Sequence, residues 1–581
     1  MQFILQFLIF AGVFDNYQVN LQDSIKDSNK TVYFNSPLNI PLFLAGNYGE
    51  IRSAHFHGGI DLKTQQVEGK TVLAADSGYV FRVAVQSGGY GHALYLRHPS
   101  GFVTVYGHLR EFAPQIDNWV KEQQYRKRSF EVDLNPNERQ FVFRKGETIG
   151  ISGNSGSSGG PHLHFEIRDN SASVPLNGLK YSFPIKDLVK PKIEWLCIYP
   201  LDDSSTVNGL GKKLMLPVSI LKNNYYIKAN SPIVSGNIGF GIVSYDLLSN
   251  SLNKCGLYSA SLYKDSILHF RCVIDSIPFS QTGYVASYID YEEKIRSGRV
   301  IQKMFVDPNN NLPIYKKALN RGIMQFSDSL EHNIVISVAD AYDNRSELVF
   351  RVQSSSQRGP VASLPRNDTN IADRFYYDSL NVFEAPDIRV VVPKDALFDN
   401  IQFRFNRTET DSGKYSPLFS IHTEETPLKK SYILSIKPRN LPPYLRSKAG
   451  ITGIGIKGNQ FSQGGSYKNG YVTTQVKSFG RFFISVDTLA PTIKASGFRA
   501  GGKYTDAQVL SFRIRDTGSG IAKYSGYIDQ EWALFEYDGK NELLFYRIDG
   551  KKTQKGKTHR IEVIVSDNRE NFTRFESTFY Y

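Results

Sequence analysis

Gly160-Pro161-His162-Leu163-His164-Phe165-Glu166-Ile167 is the most telling stretch of this 581-residue chain. From His162 onward polar and apolar residues alternate, the pattern of a half-buried strand. His162, His164 and Glu166 then share one face, while Leu163, Phe165 and Ile167 point to a core. Two imidazoles so spaced stand roughly 6–7 Å apart along the strand. One is able to bind a metal while the other reaches into the neighbouring space.

Two further motifs lie upstream. His57-Gly58-Gly59-Ile60-Asp61 sets a histidine and a carboxylate four residues apart. The glycine pair argues against a helix, so a strand or strand-loop junction is expected, with both side chains on one face. In Tyr106-Gly107-His108-Leu109 and the residues before it, Val103, Val105 and Leu109 are expected on one side and Thr104, Tyr106 and His108 on the other. Seven of the eleven histidines fall between positions 55 and 164. A lone strand histidine is usually structural; the joint occurrence in a Gly-rich β pattern carries the reading. Two His and one Asp at ligand spacing, plus two more His, are what a catalytic zinc site needs.

These residues resemble the lysostaphin/LytM-type zinc metallopeptidases, which cut peptide cross-links in bacterial cell walls. Asn47-Tyr48-Gly49-Glu50-Ile51-Arg52 is similar to the family's opening segment, and Gly78-Tyr79-Val80 with Gly88-Gly89-Tyr90-Gly91 to its hairpins. Lys145-Gly146-Glu147-Thr148-Ile149-Gly150 and Gly153-Asn154-Ser155-Gly156 are similar to its approach to the His-x-His strand. The resemblance covers roughly residues 36–185. It implies one Zn²⁺ held by His57, Asp61 and His164. His162 is then the general base or water-orienting group, and His108 supports it and stabilises the developing oxyanion. His55, as a supporting or substrate-facing group, Arg52 and His92 are less defined candidates; His98, before a turn, reads as structural.

An insert of about residues 111–143 separates His108 from His162. Residues 116–123 are expected to form a short amphipathic helix, and 130–137 a strand or extended loop. A surface elaboration is the plainer reading of it, a wall of the substrate groove the sharper one.

At this length three or four domains are expected. The composition, 41% hydrophobic and 13% aromatic, excludes disorder. The formal charge of +13 suits acidic partners such as a cell wall or membrane surface. With no helix-turn-helix, no Cys/His finger and no basic cluster, nucleic-acid binding is not supported. Residues 1–20 read as a signal peptide, whose apolar run, residues 1–14, is too short to span a bilayer. No later stretch is long and apolar enough for a transmembrane span. Cys197, Cys255 and Cys272 allow at most one disulfide.

Beyond 186 histidines thin out and alternating β patterns take over. Asp187-Leu188-Val189-Lys190-Pro191-Lys192-Ile193 recurs as Asp487-Thr488-Leu489-Ala490-Pro491-Thr492-Ile493. Residues 333–340, followed by Asn344, recur as 560–567, followed by Asn571. The expected organisation is a LytM-like antiparallel β catalytic domain (21–186), an immunoglobulin-like β-sandwich (187–354), a linker (355–374), another β-rich domain (375–486) and a second immunoglobulin-like sandwich (487–581). The C-terminal modules serve as spacers or scaffold, or bind wall glycan or other envelope proteins.

The expected function is hydrolysis of peptidoglycan stem or cross-bridge peptides by a periplasmic or secreted zinc endopeptidase. The alternatives are a non-catalytic envelope protein that uses the groove to bind wall or activate an amidase, and an endopeptidase for other proteins. Chemistry and accessory modules are expected to separate near residue 186.

Overall fold

The computed structural model describes residues 34–581 except 182, 222–223, 229, 250, 357–370, 411–413 and 551. The expected signal peptide and most of the expected linker lie outside the described residues. Strands dominate throughout, nearly all paired antiparallel.

The first sheet is built from β1 (Leu44–Gly46), β2 (Ile60–Lys63), β3 (Thr71–Leu73), β4 (Gly78–Val85), β5 (His92–Arg97) and β6 (Val103–Phe112). After helix α1 (Pro114–Lys127) come β7 (Val132–Leu134), β8 (Val142–Phe143), β9 (Thr148–Ser152), β10 (His162–Arg168) and β11 (Pro175–Leu176). The strands run β1-β2-β10-β6-β5-β4-β7 across the sheet. The His-x-His strand β10 is therefore central, between β2, which carries Asp61, and β6, which leads to His108. Its alternation holds: Leu163, Phe165 and Ile167 are at most 1% exposed and join the core with Ile60, Leu62 and Tyr106.

Register sets which residues meet. His164 lies opposite Asp61 on β2 and opposite Gly107 on β6, and Phe165 lies opposite Tyr106. Gly59 permits this approach of the segment before β2, because a Cβ there would stand 2.5 Å from the Phe165 carbonyl oxygen.

Helix α1 is longer than the expected 116–123. Pro114 fits its first turn, where a missing N–H costs nothing, and Arg128 ends it in a left-handed conformation. Ile116, Val120 and Gln124, at helical spacing, form its buried face. The rest of the insert returns as β7 on the edge of the sheet beside β4.

Residues 187–354 form a second sheet system, whose strands include Lys192–Pro200, Ile233–Leu247, Glu331–Ala339 and Arg345–Ser354. A helical excursion, Phe279–Tyr284 through Tyr291–Ser297, interrupts the β pattern. The hydrophobic core is continuous from Phe34 to Val352, so this unit and the first sheet bury their apolar faces together. A six- and a five-stranded sheet follow. Their first strand, Ile371–Phe375, begins inside the expected linker. Two four-stranded sheets then close on one core with Phe512 and Val563. The three cysteines are buried and free. Among the described residues no helix is long and apolar enough to cross a membrane.

Candidate metal centre

Three side chains converge on the open face of β10. His57 Nε2 lies 3.0 Å from Asp61 Oδ1, His164 Nδ1 lies 2.9 Å from the same oxygen, and the two imidazole nitrogens are 3.1 Å apart. All three residues are buried. Tetrahedral zinc with bonds of about 2.0–2.1 Å sets its donors roughly 3.3 Å apart, so this triangle fits that ion. Two imidazoles and a carboxylate are also a suitable donor set.

The far side of each imidazole is already committed. His57 Nδ1 donates to the Asn47 carbonyl at 2.7 Å, leaving the Nε2 lone pair turned toward Asp61. His164 Nε2 donates to Glu166 Oε1 at 2.8 Å, leaving Nδ1 as the inward atom. Glu166 is held in turn by the Tyr90 hydroxyl at 2.6 Å and the Arg168 guanidinium at 2.5 Å. Such outer partners fix the orientation and basicity of ligands. Glu166 stands in the motif as two residues after His164; nothing in the sequence marked Tyr90 or Arg168 as its partners.

Electrostatics favour positive charge between these groups. Burial opposes charge on Asp61, but His57, His162 and His164 outweigh it and hold the carboxyl well below the usual range. Burial likewise disfavours charge on His164, and Asp61 and Glu166 overcome it, raising the imidazole to about 9. Burial opposes charge on Glu166 as well, yet Arg168 and His164 bring it down to about 2. A cation bound at the triangle displaces the His164 proton.

His162 and His108 flank the triangle. Their rings are 4.8 Å apart, and His108 is 5.8 Å from the His164 ring. His108 is not on the face that alternation assigns it. Tyr106 packs its ring 5.3 Å from Phe165 in the core, and Thr104 bonds to the Tyr106 hydroxyl. A left-handed backbone at His108 (φ +60°) interrupts the alternation within β6 and turns this imidazole to the opposite face. His108 Nδ1 donates to the Ser155 carbonyl at 2.8 Å, and His162 Nδ1 to the Gly160 carbonyl at 2.8 Å. Both therefore present an Nε2 lone pair. Burial, with His164 and His162 nearby, pushes His108 down to about 3 and keeps it neutral.

The remaining candidates divide. Arg52 reaches the cluster, donating to Asp61 Oδ2 at 2.8 Å. His55 is exposed and its carbonyl closes a turn to Arg52. His92 stacks on Phe112, away from the triangle. His98 is structural, between the Ser77 carbonyl and the Thr104 hydroxyl. An open cleft of about 770 Å³ leads to Asp61 and His162; Phe43, Lys63, Pro161 and, from the following unit, Asn253 line it.

The insert does not line this cleft. Helix α1 instead receives the last β unit: Lys121 pairs with Asp549 at 2.6 Å, and Tyr125 meets the Trp532 ring edge-on at 5.4 Å. Lys540 of that unit donates to the Asn154 and Ser158 carbonyls beside the His162 loop.

Parts of the chain are similar to known proteins. Residues 55–125 match Peptidase family M23, and residues 372–487 match the Zu5-like domain. Over 118 residues the chain is 36% identical to a protein of Haemophilus influenzae named an uncharacterized metalloprotease, an alignment covering 20% of each chain. Over 134 residues it is 33% identical to the DD-carboxypeptidase/endopeptidase Mpg of Neisseria meningitidis serogroup B, covering 23% of this chain and 24% of that one. The match thus spans a fifth to a quarter of these relatives' lengths. The catalytic domain of lysostaphin from Staphylococcus simulans aligns at 24% identity over 21% of this chain and 77% of that one, with a TM-score of 0.16. Part of the chain is thus similar to M23 peptidases, and the unit at 372–487, unassigned by its sequence patterns, matches the Zu5-like domain.

Proposed function

We propose that this protein is a zinc-dependent endopeptidase that hydrolyses peptide cross-links of bacterial peptidoglycan. The observation that carries the reading is the triangle of His57 Nε2, Asp61 Oδ1 and His164 Nδ1, with edges of 2.9–3.1 Å. These three groups would hold the ion. Zinc bound there supplies a Lewis acid for the scissile carbonyl and makes hydroxide available near neutral pH.

The chain's own residues do the proton work. His162 Nε2, 3.4 Å from Asp61 Oδ1, accepts the proton of the attacking water and passes it to the leaving amine. His108 is a second acceptor in its neutral form. A neutral His108 would support His162 from 4.8 Å, and the expected oxyanion role would require its Nε2 to carry the proton instead. Arg52 steadies the Asp61 oxygen that faces away from the triangle. The cleft, open on one side and walled by Phe43 and Pro161, suits an extended peptide.

The same reading puts the protein in the periplasm or outside the cell, where such peptides occur. The contacts of the last unit with α1 favour a scaffold over a free tether for the C-terminal part. Digestion of purified muropeptides with and without a chelator, followed by mass spectrometry, tests the proposal. Chelator-sensitive cleavage of a peptide bond is expected. No product from the zinc-loaded chain would overturn it in favour of a non-catalytic envelope protein.

A further inference from the structure

Asp187, Asp246 and Asp340 meet in the unit that follows the peptidase domain. Each offers an oxygen within 4.8 Å of the others. They are 5%, 2% and 3% exposed, so three carboxylates share one buried site. Among the described residues no Lys, Arg or His pairs with any of them. Buried charges are ordinarily paired or bound to metal, and like charges this close disfavour one another.

Part of the cluster is satisfied by ordinary means. Asp187 Oδ1 accepts from the Val189 N–H and from the Ser249 N–H and hydroxyl at 2.9–3.1 Å. Asp340 Oδ1 accepts from the Tyr342 and Asn344 N–H groups, both at 2.9 Å. The Asn344 amide donates to Asp340 Oδ2 at 2.6 Å. Two oxygens are left over: Asp187 Oδ2 and Asp246 Oδ1 are buried with no hydrogen-bond partner. An orphaned carboxylate oxygen in a buried acidic site is what a cation would satisfy.

The last unit repeats this framework with one informative difference. Asp487, Asp516 and Asp567 form the same kind of group. Lys192 lies opposite Tyr245 and Thr492 opposite Arg515, so Asp246 and Asp516 each follow an equivalent position. Asn571 bonds Asp567 Oδ2 and the Asp487 carbonyl, as Asn344 bonds Asp340 Oδ2 and the Asp187 carbonyl. Two residues past the last aspartate, however, Tyr342 is replaced by Arg569, whose guanidinium interacts electrostatically with Asp487 and Asp567. The second group is also less buried, with only Asp567 fully enclosed. Arg569 thus brings a positive charge into the neighbourhood of the second group, where Tyr342 brings none to the first.

We propose that Asp187, Asp246 and Asp340 form a binding site for a hard divalent cation, calcium. All-oxygen ligation selects calcium over zinc-type metals. Two oxygens bound to one calcium at 2.3–2.6 Å lie at most about 5 Å apart, which the 4.8 Å spread satisfies. The site roots the hairpin after Ile233–Leu247: Asp246 pairs with Cys255, and Ser249 holds Asp187. Calcium therefore ties the start of this unit to that hairpin. The proposal rests on these residues alone and not on the zinc reading.

The test is thermal unfolding and calorimetric titration of the full chain, freed of calcium and carrying one equivalent of zinc. Calcium chloride should bind with one equivalent and raise the melting temperature by roughly 3–5 °C at about 100 times Kd. In Asp246→Asn the calcium effect should vanish. Without calcium that variant should melt no lower than the parent, since it has lost a repelling charge; a misfolded variant would fail this second criterion. Asp516→Asn should keep the full calcium response. The proposal is overturned if the parent shows neither heat nor a shift up to ~10 mM calcium, if Asp246→Asn responds like the parent, or if magnesium alone is bound.

Discussion

Asn47 and Gly256, 209 residues apart, exchange two hydrogen bonds of 2.8 Å, amide to carbonyl and N–H to amide oxygen. The Asn47 carbonyl is the acceptor that orients His57. The unit beyond residue 186 thus braces the segment that aims a metal-facing histidine. Phe56 against Tyr288, and Lys294 donating to the Arg52 and Ser53 carbonyls, extend this brace.

From this brace it follows that the peptidase sheet depends on the next unit. A chain ending at residue 186 leaves the shared core open and should be insoluble or molten, whereas one ending near 356 should fold. Asn47→Ala should cost about 1–3 kcal/mol, because it strands both backbone groups of Gly256. Cooperative unfolding of the short chain, with zinc bound, would contradict this.

Ligands and proton carriers should separate by metal content. His57→Ala, Asp61→Ala and His164→Ala should lose stoichiometric zinc. His162→Ala and His108→Ala should retain it while turnover falls by roughly 10²–10⁴-fold. Near-parental zinc in all three of the first group would sink the assignment.

Glu166 reaches the His57–Asp61–His164 triangle only through His164. Glu166→Gln should weaken zinc binding by about 10–100-fold, the usual effect of removing an outer partner. Competition with a chromophoric chelator reads this directly, and an unchanged affinity would show that the Glu166 charge does not tune the His164 ring.

The contact of α1 with the last unit should hold the chain compact. Replacing Trp532 and Asp549 together with Ala removes the ring contact and the Lys121 pair. Small-angle scattering should then report a larger radius of gyration, with zinc content intact. A radius equal to the parent's would mean that the contacts of Lys540 suffice.

His422 gives a pH signature remote from the metal. Burial pushes its imidazole down to about 4, against about 6.5 in an unfolded chain. The unfolded chain takes up this proton first, so the stability it contributes is present above about 6.5 and is lost as pH falls toward 4. His422→Asn, which tolerates the left-handed backbone there (φ +51°), should lack this loss. Its melting temperature should gain on the parent's between pH 7 and 5; a pH-independent difference would count against the account.

Sequence alone pointed to the peptidase domain, its candidate donor set and its central strand, because these signals are local. Period-two alternation fixes the faces of β10, and a Gly-Gly pair rules out a helix beside His57. Sequence also paired the Asp187 and Asp487 segments, since the repeat preserves its turn-forming residues. The tertiary structure decided what depends on distant partners. His108 reaches the metal face through one left-handed residue that breaks the alternation on which its placement was read. The outer face of helix α1 is covered by the last unit, more than 400 residues away, a contact its own composition does not encode. The seam at residue 186 exists as a change in sequence pattern, yet the apolar residues on either side pack into one core, and only the folded chain brings Asn47 to Gly256.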